Sequence, residues 1–361
     1  MTHSSGPPLY DATIVGDGII GLSAALELAR SGARCALVGA SEPGGGSGAA
    51  AGILAPSVGD RDSSVRDFFR YSLDLFPAFL APLREFEPDL AILEGLLEIV
   101  STPSDSALQN GSRWLSDAHL RQTEPALFAP LGAVLHPRDG AIDSTKVLAA
   151  LRRAVSRHPL ISVVSEDGVA RVDVDRSPAR VETRGGTSIQ SRFVVLAAGA
   201  WSPRIEGLPR PVPVYPLKGQ IIALDARDVV RRPVKGDHIY LVPRDGELVV
   251  GATSEDAGFD TSTSDDAAAL LHSSAVSICP PLGSARVMRR WAGLRPATAD
   301  LLPILGPDPE SPSLIYACGH SRNGILLAPA TAAAIRAFVA GAPLPHPLIA
   351  AGRFLITRFL G

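Results

Sequence analysis

Leu9–Val15 (LYDATIV) runs directly into Gly16-Asp17-Gly18-Ile19-Ile20-Gly21 (GDGIIG), and the reading of this stretch decides the fold. The first seven residues are short, apolar and β-branched, which is strand character. Behind the glycines, Ile19, Leu22, Leu26 and Ala29 fall on one helical face, and the pattern stops at Ser31-Gly32, where glycine suits a helix C-terminus. Residues 34–38 (RCALV) then read as a second buried strand. Strand, glycine turn, helix and strand within about thirty residues open a dinucleotide-binding βαβ unit. In such a unit the three glycines allow a tight turn, close approach of the backbone to a pyrophosphate, and close packing of helix on strand, with the helix N-terminus facing the phosphates. An acidic residue about twenty positions on normally holds the ribose hydroxyls. Here the second strand ends in Val38-Gly39-Ala40 and the nearest carboxylate is Glu42. Either Glu42 or a backbone group substitutes, or the ribose is held more weakly.

Outward from this unit, a glycine- and alanine-rich stretch, residues 42–52 (EPGGGSGAAAG), precedes a predicted helix over 65–83. Short strands and turns follow over 90–138, then a helix over 144–157 with Ser144 as its N-cap. Strand-like runs recur at 161–164, 169–174, 179–183 and 193–197, the last ending in Ala198-Gly199-Ala200-Trp201-Ser202. From 212 to 290 the pattern changes to alternating short strands (QIIAL, HIYLV, ELVVGAT) with tight turns such as Arg244-Asp245-Gly246 and one helical stretch over 264–276. That pattern predicts an antiparallel sheet. The βα character returns with a strand at 313–317, a glycine turn and a helix over 324–340. A nucleotide domain built from both chain ends, with an antiparallel sheet inserted, accounts for this order.

The 361 residues suit two domains at about 150 residues each. With 34 basic against 37 acidic residues, the net charge of −3 gives the chain no reason to accumulate on nucleic acid or an anionic membrane. Only three of the basic residues are lysines, so 31 are arginines; codon bias explains most of them, and a few are candidates for gripping planar anions bidentately. Cys35, Cys279 and Cys318 are too scattered for a disulfide framework or a metal knuckle, which suggests a reducing, cytoplasmic setting. Residues 1–8 carry no Lys or Arg, and no signal-type apolar stretch ending in a cleavage site follows them. The apolar run 324–335 is too short to span a bilayer. Gly319-His320-Ser321-Arg322-Asn323 fails the nucleophile-elbow pattern because Asn323 stands at the last glycine position. The eight histidines form no zinc motif, so no metal site is expected. No second GxGxxG follows a strand, so one dinucleotide is expected.

Four segments remain: 214–220 (VYPLKGQ), 238–244 (HIYLVPR), 291–296 (WAGLRP) and 319–331 (GHSRNGILLAPAT). Each reads as a strand end or loop holding a polar group among apolar residues. Together with VGDGIIG, SGAAAG and LAAGAWS, they resemble the glycine oxidase branch of the D-amino-acid oxidase type flavoproteins over nearly the whole chain. The resemblance implies an α/β fold in which a Rossmann-like FAD-binding domain (residues 1–84, 143–212 and 298–361) is interleaved with an α+β substrate domain (85–142 and 213–297). The second domain would contain a large antiparallel or mixed sheet roofing the flavin.

It also implies noncovalent FAD, since the neighbours of Leu294 include no cysteine for covalent attachment. The implied reaction oxidises glycine or a similar small amine or amino acid to its imino acid, reduces oxygen to hydrogen peroxide, and serves thiamine biosynthesis. Arg295 would pair with the substrate carboxylate, Tyr240 would assist it, and Arg322 would lie near the site; His238 completes the catalytic candidates. The implied FAD contacts are Gly16, Gly18, Ile19, Ile20, Gly21, Glu42, Ala49, Ala50, Ala51, Gly52, Val169, Ala198, Gly199, Trp201, Gly293, Arg295, His320, Arg322, Asn323, Gly324 and Ile325. A guanidinium fork and a phenol hydroxyl fix a planar carboxylate at two points, and the helix starting near Gly324 would stabilise negative charge on the reduced flavin. Ser321 stands where relatives have an aromatic residue, and Ser254 and Ile53 where some have methionine, which alters pocket volume and opens sarcosine and small D-amino acids as substrates. The alternatives are a dehydrogenase passing electrons to a quinone or carrier, and a tRNA-modifying FAD domain, which the net charge disfavours. The oligomeric state, a homo-oligomer included, is left open.

Overall fold

The structure, a computed structural model, describes residues 9–40, 42–59, 62–100, 111–165 and 167–360. Residues 1–8 and 101–110, which fall within the sequence-based readings of the N-terminus and of the 90–138 segment, lie outside the described residues. The strands are β1 (Leu9–Val15), β2 (Cys35–Val38), β3 (Ile53–Leu54), β4 (Leu93–Ile99), β5 (Arg113–Leu115), β6 (Ala133–Ala141), β7 (Ile161–Ser165), β8 (Val169–Asp173) and β9 (Ala179–Thr183). They continue as β10 (Ser188–Leu196), β11 (Tyr215–Leu224), β12 (Val234–Lys235), β13 (Tyr240–Arg244), β14 (Glu247–Gly251), β15 (Val287–Ala297), β16 (Ile304–Pro307) and β17 (Leu314–Cys318). The helices are α1 (Ile19–Arg30), α2 (Gly46–Ala49), α3 (Ser63–Asp74), α4 (Phe76–Leu80), α5 (Asp117–Thr123), α6 (Ser144–Arg157), α7 (Asp265–Ile278), α8 (Gly324–Ala340) and α9 (Pro347–Ala350).

Two sheets result. The first has the order β16-β17-β10-β1-β2-β7, parallel from β17 to β7, with β9 and β8 added antiparallel beside β10. Its central strands β1 and β2 are almost wholly buried, as expected of parallel strands covered on both faces. The second sheet has the order β15-β11-β14-β13-β12-β4-β6-β3, antiparallel except where β12 meets β4. The edge strand β3 reaches it from the N-terminal segment, pairing Ile53 with Ala141.

Apolar faces of α1, α3, α6 and α8 pack with the first sheet into the largest core. Helix α8 spans the range read from sequence and closes on Gly341, whose φ of +61° makes a left-handed C-terminus. The segment Ser321–Ala340 is, among the described residues, the one helix long and apolar enough to cross a membrane; most of its apolar stretch is buried inside the protein.

Three local expectations need correction. The helix predicted over 65–83 is broken into α3, α4 and a 3₁₀ turn at Ala81–Glu85, because Pro77 and Pro82 supply no amide hydrogen. Helix α6 is capped by Asp143, whose carboxylate accepts from the amides of Thr145 and Lys146; Ser144 instead donates to the Ala50 carbonyl. The 90–138 segment also holds α5, two turns long and too short for helical periodicity to declare itself.

The close contact of α1 with β1 depends on Gly21: a Cβ there would stand 1.8 Å from the Gly16 carbonyl oxygen, a backbone atom that cannot swing away. Ser23, two residues on, is buried with a hydroxyl that has no hydrogen-bond partner. Gly21→Ala should therefore lower the melting temperature, by about 1–3 kcal/mol of overpacking or more. Ser23→Ala should be neutral or stabilising by up to about 1 kcal/mol, since it removes an unsatisfied group. Thermal unfolding of both variants checks the opposite signs.

Candidate active site

The carboxyl ends of β1, β2 and β10 open onto a cavity of about 1460 Å³, the place where open α/β sheets bind their ligands. It is larger than the ~300–1,000 Å³ of an ordinary small-molecule pocket. Every residue singled out as a cofactor or catalytic candidate lines it except Gly21, whose part is the helix packing already described.

At one end lies the glycine turn. Gly16 has a φ of +114°, and a Cβ on it would meet the Ala197 carbonyl oxygen at 2.4 Å, so only glycine fits. Helix α1 starts at Gly18 with no side-chain cap and no acidic residue in its first turn. The positive end of its dipole therefore faces the cavity with no acidic side chain in its first turn to offset it. The Ile19 amide donates to Ser47 Oγ at 3.0 Å, a contact from the 42–52 stretch that the motif alone did not reveal. Ala198, Gly199 and Trp201 lie at the start of the turn after β10, and Val169 begins β8. Glu42 lines this end too, with Oε1 held by Arg184 Nη1 at 2.6 Å. The backbone of 49–52 carries the cavity wall onward, so that the glycine turn, this wall and the start of α8 line one continuous cavity.

At the other end the second sheet supplies cations. Arg295, on β15, lies over Gly219 of β11, where a Cβ would meet its Nη2 at 2.3 Å. Its Nη1 donates to the Thr253 carbonyl at 3.0 Å and more weakly to that of Lys218 at 3.4 Å. Carbonyls thus anchor one edge of the guanidinium without neutralising it. Burial pulls the Arg295 pKa below its usual value, Tyr240 opposes this, and the nearby Arg322 charge adds to it. Tyr240, on β13, is half-buried across from Gly251, which leaves room for its ring. Burial raises its pKa against the pull of Arg295, Arg244 and Arg322, so the phenol stays protonated and can donate.

Arg322 sits in the 3₁₀ turn Ser321–Asn323 just before α8, exposed and with no carboxylate partner among the described residues. His320, beside it, is buried; its Nε2 meets Thr331 Oγ1 at 3.0 Å, and burial pushes its pKa down to about 3, so the ring is neutral. Asn323, Gly324 and Ile325 present the α8 N-terminus, while His238 is exposed on the wall. Ser321, Ser254 and Ile53, the three departures from relatives, all line this cavity. So do Lys235 and the α7 residues Asp266 and Leu270, which no motif marked. Cys318 is the one cysteine among the lining residues; burial raises its thiol to about 12, so it is protonated and a poor nucleophile. Among the described residues no group of three or more His, Cys, Asp or Glu side chains comes together.

Comparison with known proteins agrees with this geometry. The family described as FAD dependent oxidoreductase (DAO) matches residues 11–337. The chain is 33% identical over 359 residues to a glycine oxidase of Geobacillus kaustophilus, covering 92% of each. It is 31% identical over 350 residues to the bifunctional protein ThiO/ThiG of Trichormus variabilis, covering 91% of this chain but only 52% of that protein, so it spans about half the length of this relative. The crystal structure of glycine oxidase from Geobacillus kaustophilus superposes with a TM-score of 0.89 at 31% identity, covering 98% of this chain and 99% of that one. The family match runs through both chain ends and the inserted sheet, taking in every residue that lines the cavity; the chain belongs to the DAO-type FAD dependent oxidoreductases, the family of the glycine oxidases.

Proposed function

We propose that this protein oxidises glycine or a similar small amino acid or amine, such as sarcosine or a small D-amino acid, to the imino acid, with oxygen reduced to hydrogen peroxide. The observation that carries the reading is the pair of guanidinium groups, Arg295 and Arg322, facing one cavity beside a protonated Tyr240, neither of them in a salt bridge among the described residues and with the Glu255 carboxylate acting on Arg295 only from a distance. Such a site calls for a planar anion, and a guanidinium with a phenol grips a carboxylate at two points. Bound noncovalently, FAD supplies the acceptor for the two electrons and the α-carbon hydrogen of the substrate.

The chain's own part is positioning. Arg295, held by the Thr253 carbonyl, clamps the carboxylate, Tyr240 donates to its second oxygen, and the α-carbon is thereby aimed along the cavity. Neither of the two groups nearest the guanidiniums offers a strong base: His320 is neutral and committed to Thr331, and Tyr240 keeps its proton. The two positive guanidinium groups disfavour an ammonium beside them, so the substrate amine is drawn toward its neutral, oxidisable form. A role in thiamine biosynthesis is supported by the ThiO/ThiG relatives, and a cytoplasmic setting by three free, buried thiols.

The purified protein should be yellow, and anaerobic glycine or one of its analogues should bleach it, with peroxide formed when air is admitted. A flavin left oxidised by glycine, sarcosine and small D-amino acids alike would remove the substrate assignment. Bleaching without peroxide would move the acceptor to a quinone or carrier. Arg295→Ala should retain flavin while the Michaelis constant rises about 30-fold or more, the cost of truncating one side of a buried charge pair. Tyr240→Phe should cost tenfold at most, as for one hydrogen bond. Steady-state kinetics with flavin content measured alongside checks the ranking.

A further inference from the structure

We propose that Asp17, inside the glycine turn, supplies the carboxylate that holds the adenosine ribose of FAD. This rests on the FAD reading and adds a residue to it. In dinucleotide units that carboxylate normally stands at the end of the second strand, where this chain has Gly39, directly after β2.

The Asp17 side chain fills the space that such a residue would need. A Cβ on Gly39 would stand 2.8 Å from Asp17 Cγ, 3.0 Å from its Cβ and 3.2 Å from Oδ1. The two positions exclude each other: a side chain can begin at 39 only if Asp17 vacates its place. The carboxylate therefore stands on the loop before α1 rather than at the strand end, beside the spot from which the usual acid would project.

Its surroundings suit the role. Asp17 and Gly39 line the same end of the cavity, and the Asp17 side chain is 34% exposed. Arg152 of α6 holds Oδ2 at 3.4 Å, and Oδ1 is the oxygen toward Gly39. The competing carboxylate, Glu42, has Oε1 committed to Arg184 at 2.6 Å. A carboxylate is acceptor-only, and the cis-diol of a ribose offers two hydroxyl donors.

The test uses apoprotein, with FAD, ADP and 2′,3′-dideoxy-ADP as probes in calorimetric titrations. Asp17→Ala and the near-isosteric Asp17→Asn should weaken ADP and FAD binding, by about tenfold or more for the alanine, as expected for hydrogen bonds to a charged group. Binding of dideoxy-ADP, which lacks the diol, should be unchanged by either substitution. The paired exchange Asp17→Gly with Gly39→Glu should recover ADP affinity that Asp17→Gly alone has lost. Unchanged ADP affinity in Asp17→Ala, an equal loss for dideoxy-ADP, or no recovery by the exchange would each overturn the proposal. Wild-type apoprotein that binds neither FAD nor ADP would overturn the cofactor reading and this proposal with it.

Discussion

The architecture depends on a ribbon of bare backbone, residues 44–52, laid where the two sheets meet. Outside the four-residue α2 and a single bridge from Gly45 to Leu294, it makes no regular ladder of its own, so its carbonyls must find donors elsewhere. They do so on both sides. The Leu294 amide donates to Gly44 at 2.9 Å, Trp291 Nε1 to Ala49 at 3.1 Å, Arg244 Nη2 to Ala50 at 2.9 Å and the Ile142 amide to Gly52 at 2.9 Å. The approach is too close for side chains: a Cβ on Gly293 would meet that of Ala49 at 2.3 Å, and one on Gly46 would meet the Leu294 carbonyl oxygen at 2.9 Å. The low-complexity look of GGGSGAAAG thus has a steric cause. The ribbon also touches the dinucleotide end, where Ser47 accepts from the first amide of α1. Hence the strand carrying Arg295 and the glycine turn are registered against one piece of chain, and the distance between the two ends of the cavity is set by backbone.

Charge is distributed to match that layout. The substrate end carries two guanidinium groups and the N-terminus of α8, while the carboxylates of the far end, Asp17 and Glu42, are each tied to an arginine. Burial keeps His320 neutral, so the positive charge beside Tyr240 comes from Arg295 and Arg322. On the proposed reading, the guanidinium groups draw the carboxylate of an arriving zwitterionic amino acid, which orients it before any contact is made.

Legibility from sequence followed the range of the interactions. The βαβ opening and α8 could be read because strand periodicity, helical spacing and terminal glycines are local constraints, and they appear in the structure within a residue or so. Helix breaks at Pro77 and Pro82 were equally local but were overruled by an apolar pattern that runs through them, since successive short helices bury the same face as one long one. The cap at Asp143 was missed because Ser144 is an equally good cap by type, and only its tertiary bond to Ala50 removes it from that role.

The site divides the same way. Arg295 and Arg322 were placed by resemblance to a family; from the residues alone they were polar groups at strand ends. That neither forms a salt bridge among the described residues is a fact about the folded cavity, which no window of sequence contains. The ribose end shows the opposite limit. The absence of an acid after β2 was visible at once, yet Asp17 was two residues inside the best-read motif of the chain and passed as an unspecified position. What distinguishes it is steric contact with Gly39 and a bond to Arg152, 135 residues away. A glycine where an acid is expected and an acid where the motif asks for nothing in particular are one feature seen from two strands.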